Sequence, residues 1–153
     1  MLHCMQITLA CVGSAPAARD PFESLVGTYM DRCSGFARCA VRYFANEASA
    51  LAWIGRQSGR TQPVVALLDS RGHTMTSEAF AAWIGERRDR GVQHLIFAIG
   101  PASGWSEEAR GRAQLQLSLG SMTLAHALAR LVLAEQIYRA VTILTGHPYH
   151  AGH

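Results

Sequence analysis

Apolar residues along this chain fall into two alternating kinds of run. One kind is short and nearly continuous: "LHCMQITLACVG" ending at Gly13, "CAVRYF", "PVVALLD", "HLIFAIG" and "LQLSLG". Bounded by glycine, proline and polar residues, these predict strands, and the fully apolar ones predict strands covered on both faces. The other kind has helical spacing. Phe22, Leu25, Val26 and Tyr29 share one side of a segment running to Cys33. Leu51, Trp53 and Ile54 follow a cap at Asn46 and stop near "GRQSGR". Phe80, Trp83 and Ile84 follow a cap at Thr76 or Ser77 and close at "RRDRG", where Arg87, Arg88 and Arg90 suit the helix dipole. "SEEARGRA" predicts a short helix with two acids in its first turn. "SRGHTMTS", "PASGW" and "SMT" read as loops. Strands alternate with helices, so the expected fold is α/β with a mainly parallel sheet, one domain over residues 1–153.

The last helical run differs from the others. Leu124, Leu128, Leu131, Val132, Ile137, Val141 and Leu144 spread around it, and its polar residues are few: His126, Arg130, Glu135, Gln136, Arg139 and Thr142. The pairs His126/Arg130 and Glu135/Arg139 stand four apart and share faces. A short chain has difficulty burying such a helix on every side, so a homodimer sharing it is expected.

Composition narrows the class. Hydrophobic residues make up 49% of the chain and charged residues 16%, which excludes a disordered or fibrous protein. No apolar run reaches the ~20 residues that span a bilayer. The N-terminus has no basic leader and alternates like a strand, so it is read as structure and the protein as cytoplasmic. The formal charge is +3, and all 14 basic residues are arginine. A GC-rich genome produces that bias, while the planar guanidinium also suits phosphate. Cys4, Cys11, Cys33 and Cys39 include no CxxC pair, so free thiols in a reducing compartment are expected rather than a zinc ribbon or a redox motif. His147, His150 and His153 recur every three residues, but Pro148 and the nearby glycines break any helical ligand face, and no metal is expected.

In parallel sheets ligands bind beyond the carboxyl ends of the strands. Three loops leave strands there: "LDSRGH" from Leu68, "GPASGW" from Gly100 and "LGSMTL" from Leu119. Neither GxGxxG after the first strand nor GxxxxGK[ST] occurs, which disfavours a dinucleotide or a triphosphate. Three small-residue loops suit a neutral or cationic ligand touched by main chain.

The stretch "LSLGSMTLAHALARLVLAEQIYRAVTILTGHPYH", with "ALLD" and "FAIGPASGWSEE" before it, strongly resembles the bacterial 23S ribosomal RNA (pseudouridine-N3-)-methyltransferases of the SPOUT superfamily. The likeness is specific after Pro63 and loose before it. It implies a SPOUT-type α/β domain with a C-terminal trefoil knot, a rare exception to unknotted topology. It also implies a homodimer that binds S-adenosylmethionine and methylates N3 of a pseudouridine in 23S rRNA of the assembled ribosome. Carried over by position, the cofactor contacts are Leu68, Gly100, Leu119, Gly120, Ser121, Met122, Thr123 and Leu124. Leu68, Met122 and Leu124 are expected to flank adenine. Tyr149, His150 and Arg139 are the expected pocket residues for catalysis.

The chain departs from the family pattern in the two glycine-bearing loops and at its end. Pro101 replaces a glycine and removes an N–H, and Ser103 replaces an often acidic residue. Gly120 stands where a serine is common, and Ala151 follows "HPYH" where a basic residue is usual. These departures motivate the alternative of a SPOUT-like dimer that binds RNA or ribosomes without methylating them.

Overall fold

The computed structural model describes residues 5–13, 15–57 and 59–152. In chain order the elements are β1 (Gln6–Val12), α1 (Pro21–Cys33), β2 (Arg38–Phe44), α2 (Glu47–Gly55), β3 (Val64–Thr74), α3 (Ser77–Asp89), β4 (His94–Ile99), α4 (Glu107–Arg112), β5 (Leu115–Ser118) and α5 (His126–Thr145), followed by a 3-10 turn, Pro148–Gly152. The strands form one sheet in the order β2-β1-β4-β3-β5, and every pair is parallel.

Successive side chains on a strand point to opposite faces, and that parity divides the core. Ile7, Leu9, Cys11, Leu95, Phe97, Ile99, Ala66 and Leu117 face α1, α3 and α5, where they meet Val26, Met30, Phe80, Ile84, Leu133 and Ile137. The alternate residues Ala10, Val12, Val65, Leu67, Ile96 and Ala98 face α2 and α4, where they meet Leu51, Trp53, Ile54 and Ala109. The central strands are therefore apolar in sequence because both of their faces are covered. β2 lies on the edge and alternates, with Arg38 and Arg42 exposed.

The helix starts follow their caps. Asp20 accepts from Phe22 N and Glu23 N, and Pro21 occupies the first helical position of α1. Asn46 and Ser49 form a reciprocal capping box on α2. Of the two cap residues expected for α3, Thr76 is the one that caps, accepting from Ala79 N.

Two boundaries differ from the sequence expectation. "SRGHT" is not an outgoing loop; β3 runs on through it to Thr74. Leu117 of β5 pairs with Leu68 and again with His73, so residues 69–72 bulge out and the strand returns to the same partner. Gly72 permits the return, because a β-carbon there would lie 2.5 Å from the Gln116 carbonyl oxygen. The second difference is at β5, which stops at Ser118 rather than Gly120, and α5 begins only at His126. Ser118 Oγ accepts from Gly120 N–H at 3.2 Å and donates to Gly120 O at 3.0 Å, a local bond pattern that ends the strand.

Candidate active site

β4, β3 and β5 are neighbours in the sheet, and two cavities lie against the segments that leave or interrupt them. A cavity of about 390 Å³ is lined by Leu68, Asp69, Ser70 and Arg71 at the bulge within β3, by Ile99 through Trp105 at and beyond the end of β4, and by Arg110 of α4. A second, of about 230 Å³, lies between Thr74–Ser77, Phe80, Leu117–Gly120 and the α5 residues Val132, Leu133 and Gln136. Leu68 and Gly100 thus line the first, and Leu119 and Gly120 the second. Ser121, Met122 and Thr123 are exposed and line neither; Met122 is 83% exposed. Leu124 is half-buried.

Two contacts fasten the loops together. The buried Trp105 indole donates from Nε1 to Leu68 O at 3.1 Å, joining β3 at its bulge to the β4 loop. The same indole lies against Gly100, where an added β-carbon would stand 2.7 Å from it. His126 Nε2 lies 2.9 Å from Gly100 O, tying the first turn of α5 to the same residue. The loop that contains Pro101 is a turn closed by Gly104 N–H donating to Pro101 O at 2.9 Å, with Gly104 at φ 86°. Gly120, which departs from the family's usual serine, adopts φ 138°, a conformation that side chains disfavour.

Asp69 organises the charge of the first cavity. Its Oδ1 accepts from Arg71 N at 2.9 Å and its Oδ2 from Arg110 Nε at 2.9 Å, and only 6% of its side chain is exposed. Burial raises its pKa, but these hydrogen bonds and the two guanidiniums outweigh burial and hold it below the ordinary carboxylate value. Arg110 also reaches Glu107 at 2.7 Å. Neither Asp69, Trp105 nor Arg110 stood out in the sequence. The available signal was an acid ending an apolar run and a lone indole in a glycine-proline turn.

The three expected catalytic residues gather on α5 and the tail behind it. Gly146, in the left-handed region at φ 74°, ends α5 and reverses the chain. The tail then folds back, so that the Tyr149 ring packs 4.6 Å from Tyr138. Tyr149 Oη donates to Glu135 Oε1 at 3.0 Å, and Arg139 donates to the same oxygen from Nε at 3.0 Å and Nη2 at 2.6 Å. The Arg139 guanidinium stands 5.1 Å over the Tyr149 ring. Burial first, then the bond to Glu135, pushes the Tyr149 phenol well above the ordinary tyrosine value. The hydrogen bond to Glu135 raises Arg139. His150 is half-buried, and its Nδ1 has no hydrogen-bond partner among the described residues.

Cysteine chemistry finds no place here. Cys11 and Cys33 are buried free thiols, Cys39 is half-buried and free, and burial pushes Cys11 up to about 12. Cys4 and His153 lie outside the described residues. Among the described residues no three His, Cys, Asp or Glu side chains are grouped to hold a metal, and no helix is long and apolar enough to cross a membrane.

An all-parallel five-stranded sheet with helices packed on both faces defines an α/β domain, the class in which ligands bind beyond the carboxyl ends of the strands. A family model described as "Predicted SPOUT methyltransferase" matches residues 5–150, and the chain belongs to that methyltransferase family. More particularly, it is similar to the ribosomal RNA large subunit methyltransferase H of Koribacter versatilis (strain Ellin345). The two are 49% identical over 131 residues, covering 86% of this chain and 89% of the relative. The protein of the same name from Allorhizobium ampelinum (strain ATCC BAA-846 / DSM 112012 / S4) is 38% identical over 160 residues, covering 95% and 99%. Among solved structures, a probable methylase family protein from Haemophilus influenzae Rd KW20 matches with a TM-score of 0.55 at 10% identity, over 97% of this chain and 71% of that one. At that identity the likeness speaks for the fold alone.

Proposed function

We propose that this chain is an S-adenosylmethionine-dependent methyltransferase acting on N3 of a pseudouridine in 23S rRNA of the assembled bacterial ribosome. It works in the cytoplasm as a homodimer of one-domain subunits whose C-terminal segment is knotted. The observation that carries the reading is the similarity of the chain to large-subunit rRNA methyltransferases, supported by two neighbouring cavities, one lined by Leu68 and Gly100 and the other by Leu119 and Gly120. The dimer is supported by apolar side chains left outside the core on α1 and α5: Phe22, Leu25 and Leu128, 37–48% exposed. Arg130 and Glu23, 3.6 Å apart, hold the two helices together beside them.

The residues present fit this cofactor. It carries no phosphate and needs no P-loop; the larger cavity offers main chain at Gly100 and Gly104, and the smaller offers main chain at Gly120 with apolar walls at Phe80, Leu117 and Leu133. When bound, S-adenosylmethionine supplies a methyl group already activated by its sulfonium. The chain's task is then to align the base and to stabilise its anion. N3 of pseudouridine is a weak imide acid, and loss of its proton leaves an electron-rich nitrogen and carbonyl oxygens. Arg139 and the protonated Tyr149 are suited to stabilise that negative charge, and His150 follows Tyr149 in the tail as the third candidate. Much of the rate comes from alignment.

The test is methyl transfer to ribosomes purified from a strain lacking the modification, located by mass spectrometry, with cofactor binding followed by calorimetry. Transfer to the pseudouridine N3 is expected. Absence of cofactor binding would overturn the reading. Cofactor and ribosome binding without transfer would favour the non-methylating binder that Pro101 and Ala151 suggest.

A further inference from the structure

We infer that Glu135 is a positioning residue that sets Arg139 and Tyr149 in one fixed orientation and ties both to the wall of the cavity beside Gly120. The inference rests on the reading above, in which Arg139 and Tyr149 serve the transfer step.

Four donors converge on this one carboxylate. Oε1 accepts from Arg139 Nε, Arg139 Nη2 and Tyr149 Oη, and Oε2 accepts from Gln136 Nε2 at 3.0 Å. An ionised carboxylate has about four acceptor positions, so the set leaves Glu135 little rotational freedom. Gln136 is held in turn, because its Oε1 accepts from Ser77 Oγ at 2.7 Å. Ser77 opens α3, and both Ser77 and Gln136 line the smaller cavity. A continuous hydrogen-bonded path therefore runs from the cavity wall to the reversed tail. An ordinary i,i+4 pair on a helix surface is solvated and free to change rotamer. Here the Glu135 and Arg139 side chains are only 18% and 16% exposed, and the tail folds over them. The sequence spacing shows the pair but not its convergence with Tyr149, which depends on the reversal at Gly146.

The test uses the full chain and Glu135→Gln, which keeps the size of the side chain and removes its charge. Methyl transfer to ribosomes lacking the modification is measured with kcat and KM separated, alongside the cofactor Kd. Loss of orientation is expected to lower kcat about 10- to 100-fold, with the cofactor Kd within about twofold of wild type. Glu135→Asp keeps the charge but withdraws it by one methylene; it is expected to lower kcat as well and covers the case in which Glu135→Gln does not fold. The effect is expected to be non-additive: in an Arg139→Ala/Tyr149→Phe background, Glu135→Gln should change kcat little further. Folded Glu135 variants with wild-type kcat, or a Glu135→Gln loss equally large in that background, would overturn the inference while leaving the proposed reaction standing. Wild-type kcat for Arg139→Ala and Tyr149→Phe would instead overturn the catalytic roles of those residues, and this inference with them.

Discussion

Gly72→Ala tests the joint between β3 and β5 on which the ligand loops hang. A β-carbon at Gly72 would stand 2.5 Å from Gln116 O, 2.6 Å from Gln116 C and 2.8 Å from Leu117 N. Real contacts of a β-carbon essentially never fall below 3.0 Å, so one strand must retreat by about 0.5 Å or more. All three atoms are backbone, and no rotamer change relieves the clash. Overpacking of a tight contact costs about 1–3 kcal/mol, and a disturbed ladder hydrogen bond adds about 1 kcal/mol. The expected loss is about 2–4 kcal/mol, a large share of the roughly 5–15 kcal/mol that holds a domain folded. Urea unfolding read by linear extrapolation measures it. Gly111→Ala is the control: it lies within α4 with nothing inside 4 Å, and alanine there should be neutral or stabilising by up to about 1 kcal/mol. Because β5 leads straight into the 119–125 loop, cofactor affinity should fall together with stability in Gly72→Ala. A wild-type urea midpoint for this variant would refute the close approach and the steric reasoning built on it.

Gly100→Ala drives a β-carbon to 2.7 Å from the Trp105 indole and should break its bond to Leu68 O; a loss of about 2 kcal/mol is expected, recovered in part by adding Trp105→Leu, and a strictly additive pair would count against the contact. Burial holds the His94 ring below its ordinary pKa of 6.5, beside Thr8 Oγ1 at 2.8 Å. The folded value lies below the unfolded one, so the stability this neutral ring contributes is complete above pH 6.5 and is lost as pH falls through the folded pKa. The urea midpoint of His94→Gln should therefore fall less than that of wild type on acidification through this range, and parallel pH profiles would exclude the effect. Leu25 is 48% exposed on α1, so Leu25→Glu should leave far-ultraviolet dichroism unchanged while light scattering reports a monomer; a persistent dimer would move the interface elsewhere.

What the sequence made legible follows the range of the interactions involved. Strand parity and helix spacing are local, and the two-sided core of β3 and β4 is visible in their continuous apolar runs, whereas β1, which reads as alternating, is also covered on both faces. The extension of β3 through "SRGHT" is not, because those residues carry turn chemistry; it is the backbone of β5 that holds Gly72 and His73 in strand geometry. The meeting of the Leu68 and Gly100 segments at one cavity was readable from their place late in strands, whereas Leu119 and Gly120 line a second cavity. The direction of Met122 was not, since a solvent-facing apolar side chain looks the same in sequence as one facing a ligand. Glu135 and Arg139 advertise their pairing by spacing alone, whereas Tyr149 joins them only after the left-handed turn at Gly146. Trp105 gave no local sign that its N–H would reach a carbonyl 37 residues away.

The charge arrangement bears on which ligand the site is built for. Arg110 in the first cavity is clamped by Asp69 and Glu107, and Arg139 beside the tail is clamped by Glu135. A phosphate site works the other way, leaving cations and helix N–H groups uncompensated so that they attract an anion. Here acids pair with Arg110 and Arg139, and the exposed Arg71 stands 3.8 Å from Asp69. The glycine-bearing loops add main-chain groups and the Ser70 and Ser103 side chains as neutral polar surface, which suits a ligand that carries no phosphate. At Arg139 the clamp has a second consequence. A guanidinium already bonded to a carboxylate is held in place while its outward edge still bears positive charge. It can then stabilise charge developing on a base without the reorganisation that a free side chain would require at the moment of reaction. Under the proposed reaction, the carboxylate that lowers the net charge of the pocket is also what makes its remaining cation directional.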